Sequence, residues 1–217
     1  DLVKTKEGLD KAINFVKDVA GKGGKILFVG TKRQAAEIVR REAIRVGMPY
    51  MTQRWMAGIL TNFGQISKSI RKLNDLKAKR TAGELKKYTK REQLLIDREI
   101  LKLERFLGGV ADLDKLPDAL FVVDTHREEV AVREAKRMGI PVVGAVDTNG
   151  DPSLVDVVVG MNDDATKAIE LVVTTIAEAI VPKNPNIQEA KTQKKGRKKN
   201  PPSPEASEGQ GKNESKD

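Results

Sequence analysis

The sequence predicts an α/β fold: a doubly wound parallel sheet of about five strands, helices on both faces, and an antiparallel helical hairpin inserted between the second and third strands. Two observations carry that expectation. Short, near-continuous apolar runs alternate with segments of helical periodicity. That alternation is interrupted once, by a long stretch of two basic, amphipathic segments. The expected divisions are residues 1–52 plus 110–181 for the α/β domain, 53–109 for a coiled-coil hairpin, and 182–217 for a disordered basic and polar tail.

Taken in order, Thr5 to Ala20 reads as a helix with Leu9, Ala12, Ile13 and Val16 on one face and Gly21 as its stop. Lys25 to Gly30 is a short buried strand. Thr31-x-x-Gln34 has the form of a capping box opening the next helix, which carries Ala36, Val39, Ala43 and Val46 and ends at Gly47. Pro49 to Met51 is a shorter strand. Ala119 to Val123 follows as a third strand, and Thr125-x-x-Glu128 as another capping box before a helix to Met138 with Gly139 behind it. Pro141–Val146 and Val155–Val159 are the remaining strands. Asn162-Asp163-Asp164 caps the last helix, to about Ile180, where acids suit the helix dipole. Uninterrupted apolar strands alternating with helices belong to parallel sheets of the flavodoxin-like or Rossmann-like kind.

In the inserted stretch, Phe63, Ile66, Ile70 and Leu73 recur at spacings of three and four, as do Ile96, Ile100, Leu103 and Leu107. Arg80 to Gly83 reads as the turn between them, Thr89-x-x-Glu92 as a capping box, and Gly108-Gly109 as a stop. Two such stripes joined by a short break predict a sealed helical pair. Residues 62–107 hold thirteen Lys/Arg against six Asp/Glu, so seven of the chain's nine net positive charges lie there. A face that only solubilises would mix signs for pairing along the helix. An excess of one sign is the footprint of a phosphate-binding surface.

Composition narrows the function classes. A net charge of +9 and a pI of 9.6 favour a polyanionic partner. With no cysteine and one histidine, His126, neither a thiolate metal site nor an ordinary zinc site can be assembled. No apolar run approaches the roughly 20 residues needed to span a bilayer. Eight aromatic residues are too few for serial stacking on single-stranded nucleic acid. Asp1-Leu2-Val3-Lys4 reads as interior sequence, so residues upstream are expected.

Gly21-Lys22-Gly23-Gly24-Lys25 has the composition of a phosphate loop but precedes a strand. A phosphate loop must follow one, so that the amides of a helix start face the ligand. Asp124 and Asp147 fall at strand ends, where catalytic acids often sit, yet each opens a turn sequence and reads as a turn former. No nucleophile, base and orienting acid can be grouped, and no cofactor is implied. Thr31-Lys32-Arg33 differs, because it follows a strand and opens a helix, the arrangement of an anion site.

Several of these stretches also resemble one family. Gln53-Arg54-Trp55 with Gly58-x-Leu60-Thr61-Asn62-Phe63 is similar to the segment leading into the helical arm of bacterial small-subunit ribosomal protein two. So are Gly24 to Gln34, Leu116 to Asp124 with Glu134 and Gly139-Ile140-Pro141, Val146 to Asn149 with Asp151-Pro152, and Asn162 to Ala165. The resemblance covers roughly residues 1–181. It departs at the family's N-terminal Gly-x-His-x-Gly-His-like segment, which is absent, and at Val159-Gly160-Met161, where Ile-Pro-Gly is common. It implies a structural, non-catalytic constituent of the small ribosomal subunit. Such a protein contacts ribosomal RNA between head and body and supports docking of ribosomal protein one. It implies a cytoplasmic ribosomal location, an organellar ribosome being compatible, with no membrane and no small-molecule substrate. The expected RNA contacts are Lys32 and Arg33 at a helix start, Arg54 at the root of the arm, and Lys68, Arg71 and Lys72 on one face of its first helix. The competing readings are an enzyme or nucleotide sensor at the sheet's carboxyl edge, and a helical scaffold that binds only protein.

Overall fold

In the computed structural model, which describes residues 2–180, the apolar runs form one all-parallel, five-stranded sheet. The elements are α1 (Leu2–Gly21), β1 (Ile26–Val29), α2 (Arg33–Val46), β2 (Tyr50–Met51), α3 (Phe63–Thr81), α4 (Lys90–Leu107), β3 (Ala119–Val123), α5 (Glu129–Met138), β4 (Val142–Val146), β5 (Val157–Gly160) and α6 (Thr166–Ile180). Strand order is β2-β1-β3-β4-β5, the flavodoxin-like order, with Ile26 opposite Ala119 and Leu120 opposite Val142.

Because side chains alternate across a strand, β1 and β3 feed two cores. Ile26, Phe28, Ala119, Phe121 and Val123 face α1, α2 and α6, with the Phe28 and Phe121 rings edge-on at 5.3 Å. Leu27, Val29, Leu120 and Val122 face α5 and, beside it, Trp55, Ile59 and Leu60 together with Ile70, Leu73, Ile100 and Leu107 of α3 and α4. The inserted helices thus share the core on that face of the sheet. They are joined through a short 3₁₀ turn, Glu84–Lys87, and the described residues all belong to one compact unit.

Some local expectations are corrected. Thr31 does not cap α2, whose N-cap is Lys32 without a side-chain cap bond. Thr125 does not cap α5; that helix opens after Glu128, again without one. The Thr89–Glu92 capping box does form. Arg80 and Thr81 remain inside α3, and the reversal falls on Gly83 at φ +74°. α4 does stop at Gly108, its C-cap, but with that residue in the right-handed region and not the left-handed one. It runs into a 3₁₀ turn, with Gly109 pressed so closely on Tyr50 that a Cβ would lie 2.2 Å from the Tyr50 carbonyl oxygen. Gly47 and Gly139 do end their helices in the left-handed region. The tail expected over 182–217 lies outside the described residues. Among those described, no helix is long and apolar enough to cross a membrane.

Candidate nucleic-acid interface

A parallel sheet collects the carboxyl ends of its strands along one edge, and four of the six buried polar side chains among the described residues, Asp124, Thr125, Glu128 and Asp163, lie there. Between β1 and β3, where the winding reverses, lies an open crevice of about 690 Å³ lined by Thr31, Arg54, Trp55, Phe106, Arg127 and Glu128, among others.

The end of β3 is shaped by Asp124, the one non-glycine residue at positive φ (65°) among those described. Asp tolerates this region because its short side chain bonds locally, and here Oδ1 accepts the Arg127 N–H at 3.0 Å. The turn brings Glu128 under the end of β1. Its Oε1 accepts the Thr31 N–H at 3.2 Å and a short bond from the Thr31 hydroxyl, which in turn accepts from Arg127 Nε at 3.1 Å. Burial pushes the Glu128 carboxyl up, and the Thr31 bonds recover only part of that shift.

Lys32 turns away from the crevice. Its ammonium lies 2.6 Å from Asp163 Oδ1, 2.6 Å from Asp164 Oδ1 and 3.4 Å from Asp124 Oδ2. Burial works against its charge, but the bonds it donates to Asp163 and Asp164 outweigh burial and hold it above the ordinary lysine range. One cation does not neutralise this group, and burial pushes the Asp163 carboxyl up despite the lysine. Asp147 closes the cluster by accepting from the backbone N–H groups of Thr148 and Asp163, at 2.7 and 3.3 Å, and its carboxyl is held low. The centre is an ammonium. Among the described residues no group of acids and histidine is arranged for a metal ion.

The root of the arm is organised by Glu134 on α5. Its Oε1 accepts from Gly58 N–H at 2.7 Å and Trp55 Nε1 at 3.3 Å. Its Oε2 accepts from Leu60 N–H at 3.1 Å and from the Thr61 N–H and hydroxyl at 3.3 and 3.4 Å. Burial raises its pKa, but the donors from Gly58, Leu60, Trp55 and Thr61 prevail and the carboxyl is held below the ordinary range. Gly58 takes φ +96°, which lets the chain curl around the carboxylate.

On the arm, ion pairs join Lys72 to Glu99, Lys77 to Glu104 (2.5 Å) and Arg80 to Asp97 (3.3 Å). These consume three of its acids and leave other cations unmatched. Lys68 and Arg71 are exposed with no ion pair among the described residues, as are Arg33 at the start of α2 and Arg54 in the crevice. The expected contacts therefore fall in two places, Arg33 and Arg54 at the sheet edge and Lys68, Arg71 and Lys72 on α3. Lys32 is drawn into the fold by its carboxylates. Arg127 joins Arg54 in the crevice. Reading 125–128 as a capping box concealed it, although its place just after a strand was a usable signal.

A sequence model of the family described as ribosomal protein S2 matches residues 1–182. A small ribosomal subunit protein uS2 from Coprothermobacter proteolyticus is 52% identical over 181 residues, which is 83% of this chain and 68% of that protein. One of the same name from a Roseiflexus species is 50% identical over 181 residues, covering 83% and 69%. With the family model spanning all of the described residues, the chain belongs to the ribosomal protein S2 family.

Proposed function

We propose that this chain is a structural constituent of the small ribosomal subunit that binds ribosomal RNA chiefly through backbone phosphates. The observation that carries the reading is a group of exposed cations without an ion pair among the described residues, which includes Arg33 and Arg54 at the sheet edge and Lys68 and Arg71 on α3, beside relatives named as small-subunit proteins. Lys72 adds to the α3 face while bridging to Glu99, and Lys32 acts from within by holding the loops together. A non-catalytic role agrees with the strand-end acids, since Asp124 serves a turn and an ion pair and Asp147 accepts backbone donors. Placement between head and body, support of ribosomal protein one, and a cytoplasmic ribosomal location extend the reading on the strength of the family resemblance.

RNA affinity measured against salt tests it. Affinity should fall linearly in log–log form, and a flat plot would remove phosphate contacts from the account. Co-sedimentation with small subunits after a high-salt wash tests the assignment to the particle. Recovery of ribosomal protein one on subunits reconstituted with and without this chain tests the docking role.

A further inference from the structure

We propose that the crevice between β1 and β3 is a binding site for a single ribonucleotide unit, its phosphate on Arg54 and Arg127 and its ribose hydroxyl on Glu128. The crevice lies at the reversal of winding, where open α/β sheets take ligands, and about 690 Å³ is ample for one nucleotide. Its polar groups are of the needed kinds. Arg54 makes no ion pair among the described residues. Arg127 spends only Nε, on Thr31, leaving its terminal nitrogens for an anion. Glu128 is 3% exposed, and both bonds from Thr31 go to Oε1, so Oε2 has no donor among the described residues. That oxygen is not sealed from solvent, since Glu128 lines the open crevice, and a sugar hydroxyl entering there is a donor of the right kind for it. Burial pushes the Glu128 carboxyl up, a companion sign of an acid held in a cleft. Met56, Phe106 and Val130 supply an apolar wall for a base. Glu134 fixes the loop carrying Arg54 and Trp55, so one wall is preorganised.

The nucleotide has two possible sources, an unpaired residue of a bound RNA or a free mononucleotide. The first rests on the RNA-binding reading above and the second is independent of it. Trp55, the chain's single tryptophan, lines the crevice and reports on both. The whole chain is titrated with AMP, GMP, CMP and UMP, with their deoxy counterparts, and with an RNA hairpin carrying one bulged nucleotide beside its fully paired version. A saturable change in Trp55 emission is expected with mononucleotides if the ligand is free, or with bulged but not paired RNA if the strand supplies it. The deoxy forms should bind more weakly.

Arg127→Gln should cut this affinity about tenfold or more. Because Arg127 also supports Thr31, Val130→Glu provides a second variant. It sets a carboxylate at a position 51% exposed, where the fold tolerates it, and should weaken binding to the same degree. Lys68→Glu with Arg71→Glu should lower RNA affinity and leave the mononucleotide titration unchanged. The proposal is overturned if no mononucleotide responds and bulged and paired RNA behave alike, or if a response survives both crevice variants. In either case RNA binding through the arm would still be measurable, so the two readings fail separately.

Discussion

Glu134 gathers five donors from Trp55, Gly58, Leu60 and Thr61 onto two oxygens, and its charge is what makes that arrangement stable. Glu134→Gln keeps the shape but turns an amide toward backbone N–H groups. A loss of about 2 kcal/mol at neutral pH is expected from denaturant melts followed by Trp55 fluorescence. The folded carboxyl titrates below the ordinary value of 4.5, so its stabilisation is complete above that value and is lost as pH falls through the lower, folded one. The gap between wild type and variant should therefore close on acidification, and a gap independent of pH would exclude a charge-based role.

Lys32→Ala poses the opposite case, leaving Asp124, Asp163 and Asp164 together without their cation. It should cost about 3 kcal/mol, with partial recovery at mildly acidic pH as the Asp163 carboxyl, already pushed up by burial, takes up a proton. Neither role was legible in the chain. Glu134 lies 73 to 79 positions from the groups it binds, and no local pattern announces such a pairing. Lys32 carried the right signal for a charged contact, but the fold brings Asp163 to it from 131 positions away.

At the scale of elements, the arm's helices are joined to the sheet by more than a tether. Ile70, Leu73, Ile100 and Leu107 pack in the same cluster as Leu27 and Leu120, so damage to the arm's base is expected to reach the sheet. Ile70→Ala should cost about 2–4 kcal/mol and lower the midpoint of the whole cooperative transition. A melt showing an early, separate loss of helix with the sheet unaffected would mean that the arm folds alone. The apolar stripes of α3 and α4 were readable because a period of 3.6 kept over about three turns has few competing explanations. The sharing of their base with the sheet was not, since periodicity identifies a buried face without identifying its neighbour. Capping signatures show the same limit. Thr89-x-x-Glu92 forms its box on the exposed arm, whereas Thr31 matched the pattern but gives its hydroxyl to Glu128, and Thr125 matched it but stands at a strand end with its hydroxyl buried and unpartnered.

For the whole molecule, the parallel sheet and its helices could be anticipated because short apolar runs bounded by Gly, Pro and Asp turn residues leave little other choice, and five strands form. The crevice could not, because it is made by segments from β1, β3 and the arm that are distant in sequence. The surplus of positive charge acts at this scale. Replacing Lys68 and Arg71 by Glu should weaken RNA binding uniformly across sequences and flatten the log–log salt dependence by about one for each phosphate no longer engaged. An unchanged slope would place the RNA on another surface.

The pairing of β1 with β3 also has a consequence for how the chain acquires its form during synthesis. The Lys25 amide bonds the Asp118 carboxylate 93 positions further on, so the central ladder cannot close until the arm and β3 have both left the peptide tunnel. Until then β1, apolar on both faces, is an unmatched strand liable to the wrong partner. Early closure of the arm on itself would draw its two ends together and shorten the effective loop, although entropy alone makes this modest, about 0.6 kcal/mol for each halving. The greater benefit is kinetic, in the briefer interval for which a hydrophobic strand waits in the open.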